Sequence, residues 1–209
     1  MKKVLFYTII SILILTAVIV SIVITSIENN QFDRNSDLLS KSKSALSRQS
    51  NIAVIYFSRS GNTAIMANKI AEMFDAELID IEAPKYKIGL KGLANAAMSF
   101  QDQEAEIIPE TIDLAKYNKI YLGSPIWFYR PSPPIWKFAE NNRFDGKEVV
   151  FFNSYNSNYG QNHIDEFKSL VMKNGAKSFE HKAIIRGRMG SQLSTEEFLK
   201  EVVALFAEN

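Results

Sequence analysis

The chain contains no cysteine. That absence excludes disulfides, thiolate zinc sites, Cys-ligated iron–sulfur clusters and a cysteine nucleophile. An excess of one charge is also missing. Lys and Arg number 24 against 23 Asp and Glu, so the whole-chain charge calls for no nucleic acid. Histidine is scarce: His163 and His181 are the only two, and no carboxylate or cysteine pattern around them suggests a metal site. His181 leads into a strand and reads as structural, whereas His163 follows a polar loop and is the better candidate for touching a ligand. No serine has triad-like spacing around it, and no internal repeat occurs. Neither G-x-x-x-x-G-K nor G-x-G-x-x-G is present. The sequence therefore offers no catalytic residue and no metal ligand.

Long apolar runs are rare as well, with one exception at the N-terminus. From Val4 to Ile27 no residue is charged, and Leu, Ile and Val dominate. At about 1.5 Å per residue the run spans roughly 36 Å, enough for a slightly tilted membrane helix. It exceeds the roughly 7–15-residue core of a cleaved signal, and no A-x-A pattern closes it. Residues 1–27 thus read as an uncleaved signal anchor, with secretion after cleavage as the alternative. Lys2, Lys3 and the amino terminus precede the run and Glu28 follows it, which places the N-terminus in the cytoplasm and the remainder outside. Arg34, Lys41 and Lys43 on the far side oppose that bias without reversing it. Residues 28–50 are rich in Ser, Asn and charge and poor in large apolar groups, the composition of a polar tether. A short helix from about Leu38 to Leu46 is compatible with the same stretch.

From Asn51 the texture changes. "IAVIYF" (52–57), "AELIDIE" (76–82), "KIYLGS" (119–124), "EVVFFN" (148–153) and "HKAIIRG" (181–187) read as strands, the first nearly all apolar as a doubly covered strand should be. Helical spacing follows the first strand, with Ile65, Met66, Ile70, Met73 and Phe74 on one side. Further helices are expected around Leu90–Met98, from "PPIWKFAENN" with proline in its first turn, and over 162–173 before "NG". Ser194 with Glu197 forms a capping box for the last helix. This alternation predicts an α/β, doubly wound, five-stranded parallel sheet with right-handed crossovers.

In such sheets ligands bind beyond the carboxyl ends of the strands, at the switch point. Three loops lie there. "SRSGNT" brings hydroxyls from Ser58, Ser60 and Thr63, an amide from Asn62, and Gly61 for close backbone approach at a helix N-terminus, which suits a phosphate. Ordinary N-capping would explain it equally well. "GSPIWFYRPSPP" (123–134) sets Trp127, Phe128 and Tyr129 side by side between prolines, a rigid wall for a planar ring or a buried corner. Three adjacent aromatics cannot all point inward, so at least one should face the cleft. "NSYNSNYG" adds Asn153, Ser154, Tyr155, Tyr159 and Gly160, suited to the polar edge of a heterocycle.

"YFSRSGNT" after the first strand and "YLGSPIWFYRPSPP" some way downstream resemble the flavodoxin family, closest to the short flavodoxin-like group with an "SPIW" second loop. The resemblance covers residues 51–209. It implies strand order 2-1-3-4-5 and non-covalent FMN, with Ser58, Ser60, Gly61, Asn62 and Thr63 at the phosphate. It also implies that Ser124, Pro125, Ile126, Trp127 and Phe128 flank the isoalloxazine, with Asn153 to Gly160 completing the pocket. Tyr129 stands where many relatives carry glycine. The expected function is electron transfer by a membrane-held flavoprotein, with a redox partner protein or a small electron acceptor and a monomeric domain. An FMN-dependent NAD(P)H or quinone reductase is the nearest rival, and a tethered binding module that has lost FMN is a rival of another class. Residues 51–209 carry 18 Lys and Arg against 20 Asp and Glu, a net of −2. That is far from the strongly acidic balance of many electron-carrier flavodoxins.

Overall fold

The computed structural model describes residues 2–42, 50–99, 104–188 and 190–207. The apolar run at 52–57 forms strand β1 (Ile52–Tyr56), and its last four residues are fully buried. Helix α2 (Asn62–Met73) returns the chain to β2 (Glu77–Asp80), which pairs parallel with β1. Helix α3 (Leu90–Met98) precedes β3 (Lys119–Trp127), the central strand, paired parallel with β1 on one side. A two-residue strand β4 (Arg130–Pro131) follows, then α4 (Pro133–Asn141), β5 (Glu148–Tyr155), α5 (Gln161–Lys173), β6 (Ser178–Ile185) and α6 (Thr195–Ala207). The sheet has six strands, in the order β2-β1-β3-β5-β6 with β4 attached to β3.

The expectation of five strands falls one short because of the proline-rich loop. Prolines leave room for only two cross-strand pairs, Ile126 with Pro131 and Trp127 with Arg130, in an antiparallel arrangement. Pro131 is tolerated because β4 is an edge strand. The turn between them consists of Phe128 (φ 47°) and Tyr129 (φ 69°), both left-handed, as a two-residue hairpin turn with native twist requires.

Side-chain alternation along the strands divides the interior in two. On one face Ile55, Leu122 and Phe151 pack with Ile135 and Phe138 of α4 and Ile164 and Phe167 of α5. On the other, Val54, Tyr121, Val150 and Phe152 pack with Ile65, Met66 and Ile70 of α2 and Phe198, Val202 and Phe206 of α6. Each fully buried Phe or Ile contributes on the order of 1.5–3 kcal/mol. The α6 start is capped reciprocally: Ser194 Oγ accepts from the Glu197 N–H at 3.2 Å, and the Ser194 N–H donates to Glu197 Oε2 at 2.9 Å.

The N-terminal helix α1 (Lys2–Ser42) is long and apolar enough, over its first half, to cross a membrane. It does not stop where the apolar run ends. Residues 28–42, expected as a tether, continue the same helix, and residues 43–49 of that expected linker lie outside the described residues. The physical reason is visible along one face. Glu28, Gln31 and Asn35 are buried and Leu39 half-buried, a spacing of three or four residues that turns one stripe toward the sheet domain.

Candidate functional site

Register places the carboxyl ends of β1, β3 and β5 together: Tyr56 pairs with Gly123, and Ser124 with Asn153. The chain leaves β1 through Ser58–Ser60 and enters α2 at Gly61, whose φ of 88° is the left-handed N-terminal hinge of that helix. The first-turn N–H groups of α2 have no intrahelical acceptor and point out of the helix end, where the dipole is positive. Thr63 is almost fully buried, and its hydroxyl lies 2.9 Å from that of Ser154. The phosphate-type loop is thereby tied to the end of β5.

A cavity of about 350 Å³ opens at this junction. Of the residues expected at the site, Ser58, Ser60, Asn62, Thr63, Pro125, Ile126, Trp127, Phe128, Ser154, Tyr155 and Asn156 line it. Trp127 is only partly buried; its ring meets Phe57 edge-on at 5.7 Å and Tyr86 at 5.2 Å. It is therefore both a core contact and a cavity wall. Phe128 is exposed beside it, while Tyr129, equally exposed, is not among the lining residues.

The other expected residues sit behind the wall. Ser124 Oγ accepts from the Ser132 N–H at 2.9 Å and donates to the Pro125 carbonyl at 2.8 Å, closing the proline-rich loop on itself. Asn153 donates through Nδ2 to the Ser124 carbonyl at 2.7 Å and holds His181 Nε2 at 2.8 Å through Oδ1. Tyr159 packs edge-on against both Tyr155 and His181. The Gly160 N–H donates to the Tyr129 carbonyl at 2.6 Å, pinning the hairpin turn to the third loop. Gly61 shapes the loop through its backbone. His181, read as structural, is held between Phe151, Tyr159 and Asn153, and burial pushes it down to about 4. His163 lies 3.2 Å from both Arg130 Nη2 and Glu166 Oε2, away from the cavity lining.

The cavity also contains residues that loop reading passed over. Arg59 donates to the Tyr86 carbonyl at 3.0 Å and forms a buried ion pair with Glu28, and burial lowers its guanidinium to about 10. Arg186, at the end of β6, donates to the Leu193 and Ser194 carbonyls at 2.6 and 2.8 Å and to Asn62 Oδ1 at 3.3 Å. It is 5% exposed, and burial first, then Arg34, holds it below its ordinary value. Among the described residues no carboxylate pairs with Arg186, which leaves a buried positive charge beside the loop. Leu93, Ala96 and Ala97 of α3 and Gln192 complete the lining, with Glu28 and Gln31 from α1. The outermost β6 end was legible from strand order, which sets Arg186 next to β5. The α1 residues had as their only signal the spacing of polar positions past the apolar run.

Chemically, this is a cationic, donor-rich pocket floor joined to an aromatic wall. Free helix N–H groups, the hydroxyls of Ser58, Ser60 and Thr63, and Arg186 suit a phosphate dianion. Trp127 and Phe128 suit a flat ring, and a cavity of this volume is of ligand size.

The sequence model of the flavodoxin family matches residues 51–203. No curated protein matches the chain by sequence. Among solved structures, a protein of Bacteroides uniformis assigned to the flavoproteins is 25% identical, with a TM-score of 0.57, and the match covers 72% of this chain and 96% of that one. A Bacteroides eggerthii protein assigned likewise has a TM-score of 0.52 at 18% identity, covering 74% and 97%. A flavoprotein of Lactobacillus acidophilus solved in complex with FMN has a TM-score of 0.50 at 24% identity, covering 62% of this chain and 91% of its own.

Proposed function

Because the chain belongs to the flavodoxin family, we propose that it is a membrane-anchored electron carrier that binds FMN non-covalently. FMN, when bound, supplies the redox chemistry by accepting and releasing electrons. The protein's part is to seat, orient and electrostatically bias that group. Ser58, Ser60, Asn62, Thr63 and the N–H groups at Gly61 and the start of α2 would hold the phosphate, with Arg186 compensating its charge. Trp127 and Phe128 would stack on the ring, Pro125 and Ile126 would flank it, and Ser154 and Tyr155 would border it from β5. Ser124, Asn153, Tyr159 and Gly160 act one layer back by fixing the loops that carry those groups.

The observation that carries the reading is the junction of a cationic helix N-terminus with an aromatic wall in one cavity. The membrane part rests on α1. Residues 1–27 would form the anchor, the N-terminus facing the cytoplasm and residues 51–209 forming the FMN-binding domain outside it. The electron partner is a redox protein or a small acceptor. A domain net charge of −2 argues against long-range steering toward a strongly basic partner.

The test is the full chain purified in detergent. Flavin absorption bands, and FMN bound more tightly than riboflavin, are the expected result. NADH and NADPH should be oxidised slowly or not at all by the protein alone, in contrast to a reductase. Protein that neither retains nor rebinds flavin would sink the reading and leave a tethered binding module.

A further inference from the structure

The buried stripe of α1 is unusual in being polar. Helices dock on domains through apolar faces as a rule, yet here Glu28, Gln31 and Asn35 are 0%, 5% and 3% exposed. Two of the three hold the loop after β1, although Glu28 Oε1 itself makes no hydrogen bond among the described residues. Glu28 pairs with Arg59, and Asn35 Nδ2 donates to the Ser60 carbonyl at 2.7 Å and lies 3.3 Å from Asn62 Oδ1. Both contacts fall on the loop between β1 and α2. The third residue is not satisfied. Gln31 lines the cavity, and its Nε2 is buried with no hydrogen-bond partner among the described residues.

A buried amide donor left unpaired costs about 1–3 kcal/mol, and native structures rarely carry one without a reason. Gln31 shares its cavity with Ser58, Ser60, Asn62, Thr63 and Arg186, and Asn35, one turn further along α1, bonds Ser60 of the loop suited to the phosphate. The missing partner is an acceptor oxygen, and every phosphate or ribityl oxygen is one. Resting on the reading that the cavity takes FMN, we infer that α1 is part of the cofactor site. Gln31 Nε2 donates to an oxygen of the phosphate–ribityl end, while the Glu28–Arg59 pair and Asn35 position the helix to do so. Glu28 also neutralises Arg59, so that Arg186 remains the cation available to the dianion. Cofactor binding and docking of α1 are then linked, each strengthening the other by the same factor.

Gln31→Leu separates this role from a structural one. Leucine fills nearly the same volume but lacks the donor. In the full chain in detergent, FMN titrations followed by fluorescence quenching should show affinity reduced about tenfold or more. The melting temperature without FMN should stay level or rise, because the unpaired amide is gone. A merely structural glutamine would give the opposite pair of results. In parallel, FMN added to the unsubstituted full chain should slow amide hydrogen exchange across residues 28–39. Unchanged FMN affinity in Gln31→Leu, or unprotected amides at 28–39 in a chain that binds FMN, overturns the inference alone. Failure of the unsubstituted chain to bind FMN overturns the functional reading and this inference with it.

Discussion

Trp127 illustrates how one side chain answers to two demands. It wedges edge-on between Phe57 and Tyr86 while part of its ring faces the cavity. Trp127→Ala should therefore lower the melting temperature and also weaken FMN by about 1–3 kcal/mol, by analogy with base–aromatic stacking. A drop in melting temperature with unchanged affinity per folded molecule would make the tryptophan core filling only. His181 gives a pH prediction. Its ring titrates near 4 when folded, against about 6.5 when unfolded, because burial disfavours the charged form. A depressed histidine contributes its stability fully above about pH 6.5, and that contribution is lost as pH falls toward 4, since the unfolded chain binds the extra proton. Allowing for partial solvent access, the loss is on the order of 1–2 kcal/mol. Urea unfolding at pH 7.5 and 4.5 should show that difference in the natural protein and less of it in His181→Gln, which keeps a donor toward Asn153. Equal pH sensitivity in both would place the effect elsewhere.

At the level of elements, the strands and helices of the sheet domain were legible because two-sided burial writes nearly continuous apolar runs, as in "IAVIYF" and "EVVFFN". Two features were not. Strand β4 is a consequence of tertiary pairing: Arg130 and Pro131 have no strand pattern of their own and align only because β3 runs on to Trp127. The continuation of α1 was hidden by composition, since Ser, Asn and charge suggest a tether when counted and a docking face when placed on a helix. The cavity's two loops from β1 and β3 were readable from residue type. Residue type alone does not mark Arg186 or Gln31: strand order brings the first to the site and helical spacing the second, from elements distant in sequence. The β3–β5 contact makes a sharp prediction at Gly123. A Cβ there would lie 2.2 Å from the tip of the Phe152 ring, which is fully buried. Gly123→Ala should cost about 1–3 kcal/mol through overpacking of the sheet face. Chemical denaturation measures this directly, and a loss below a few tenths of a kcal/mol would show that Phe152 can rotate aside.

For the whole molecule, orientation is the leading question. Lys2 and Lys3 before the uncharged run favour a cytoplasmic N-terminus, so a reporter fused after Asn209 that works only outside the cytoplasm should be active. Activity of a strictly cytoplasmic reporter at the same site would reverse the proposed topology. If α1 spans a membrane as proposed, its unbroken course has a kinetic consequence. From Ile27 to Gln31 is about one helical turn, roughly 6 Å of rise, so with the span in the bilayer the cavity rides at headgroup height on a stiff post. A flexible arm would let the flavin sweep a hemisphere; the post gives it one altitude and one heading. Encounters with a lipid-borne acceptor become a search in a plane, where confinement raises the collision frequency much as a short linker raises effective concentration. A soluble partner must instead descend into the interfacial layer, where the charge of the lipids themselves helps to decide who is admitted.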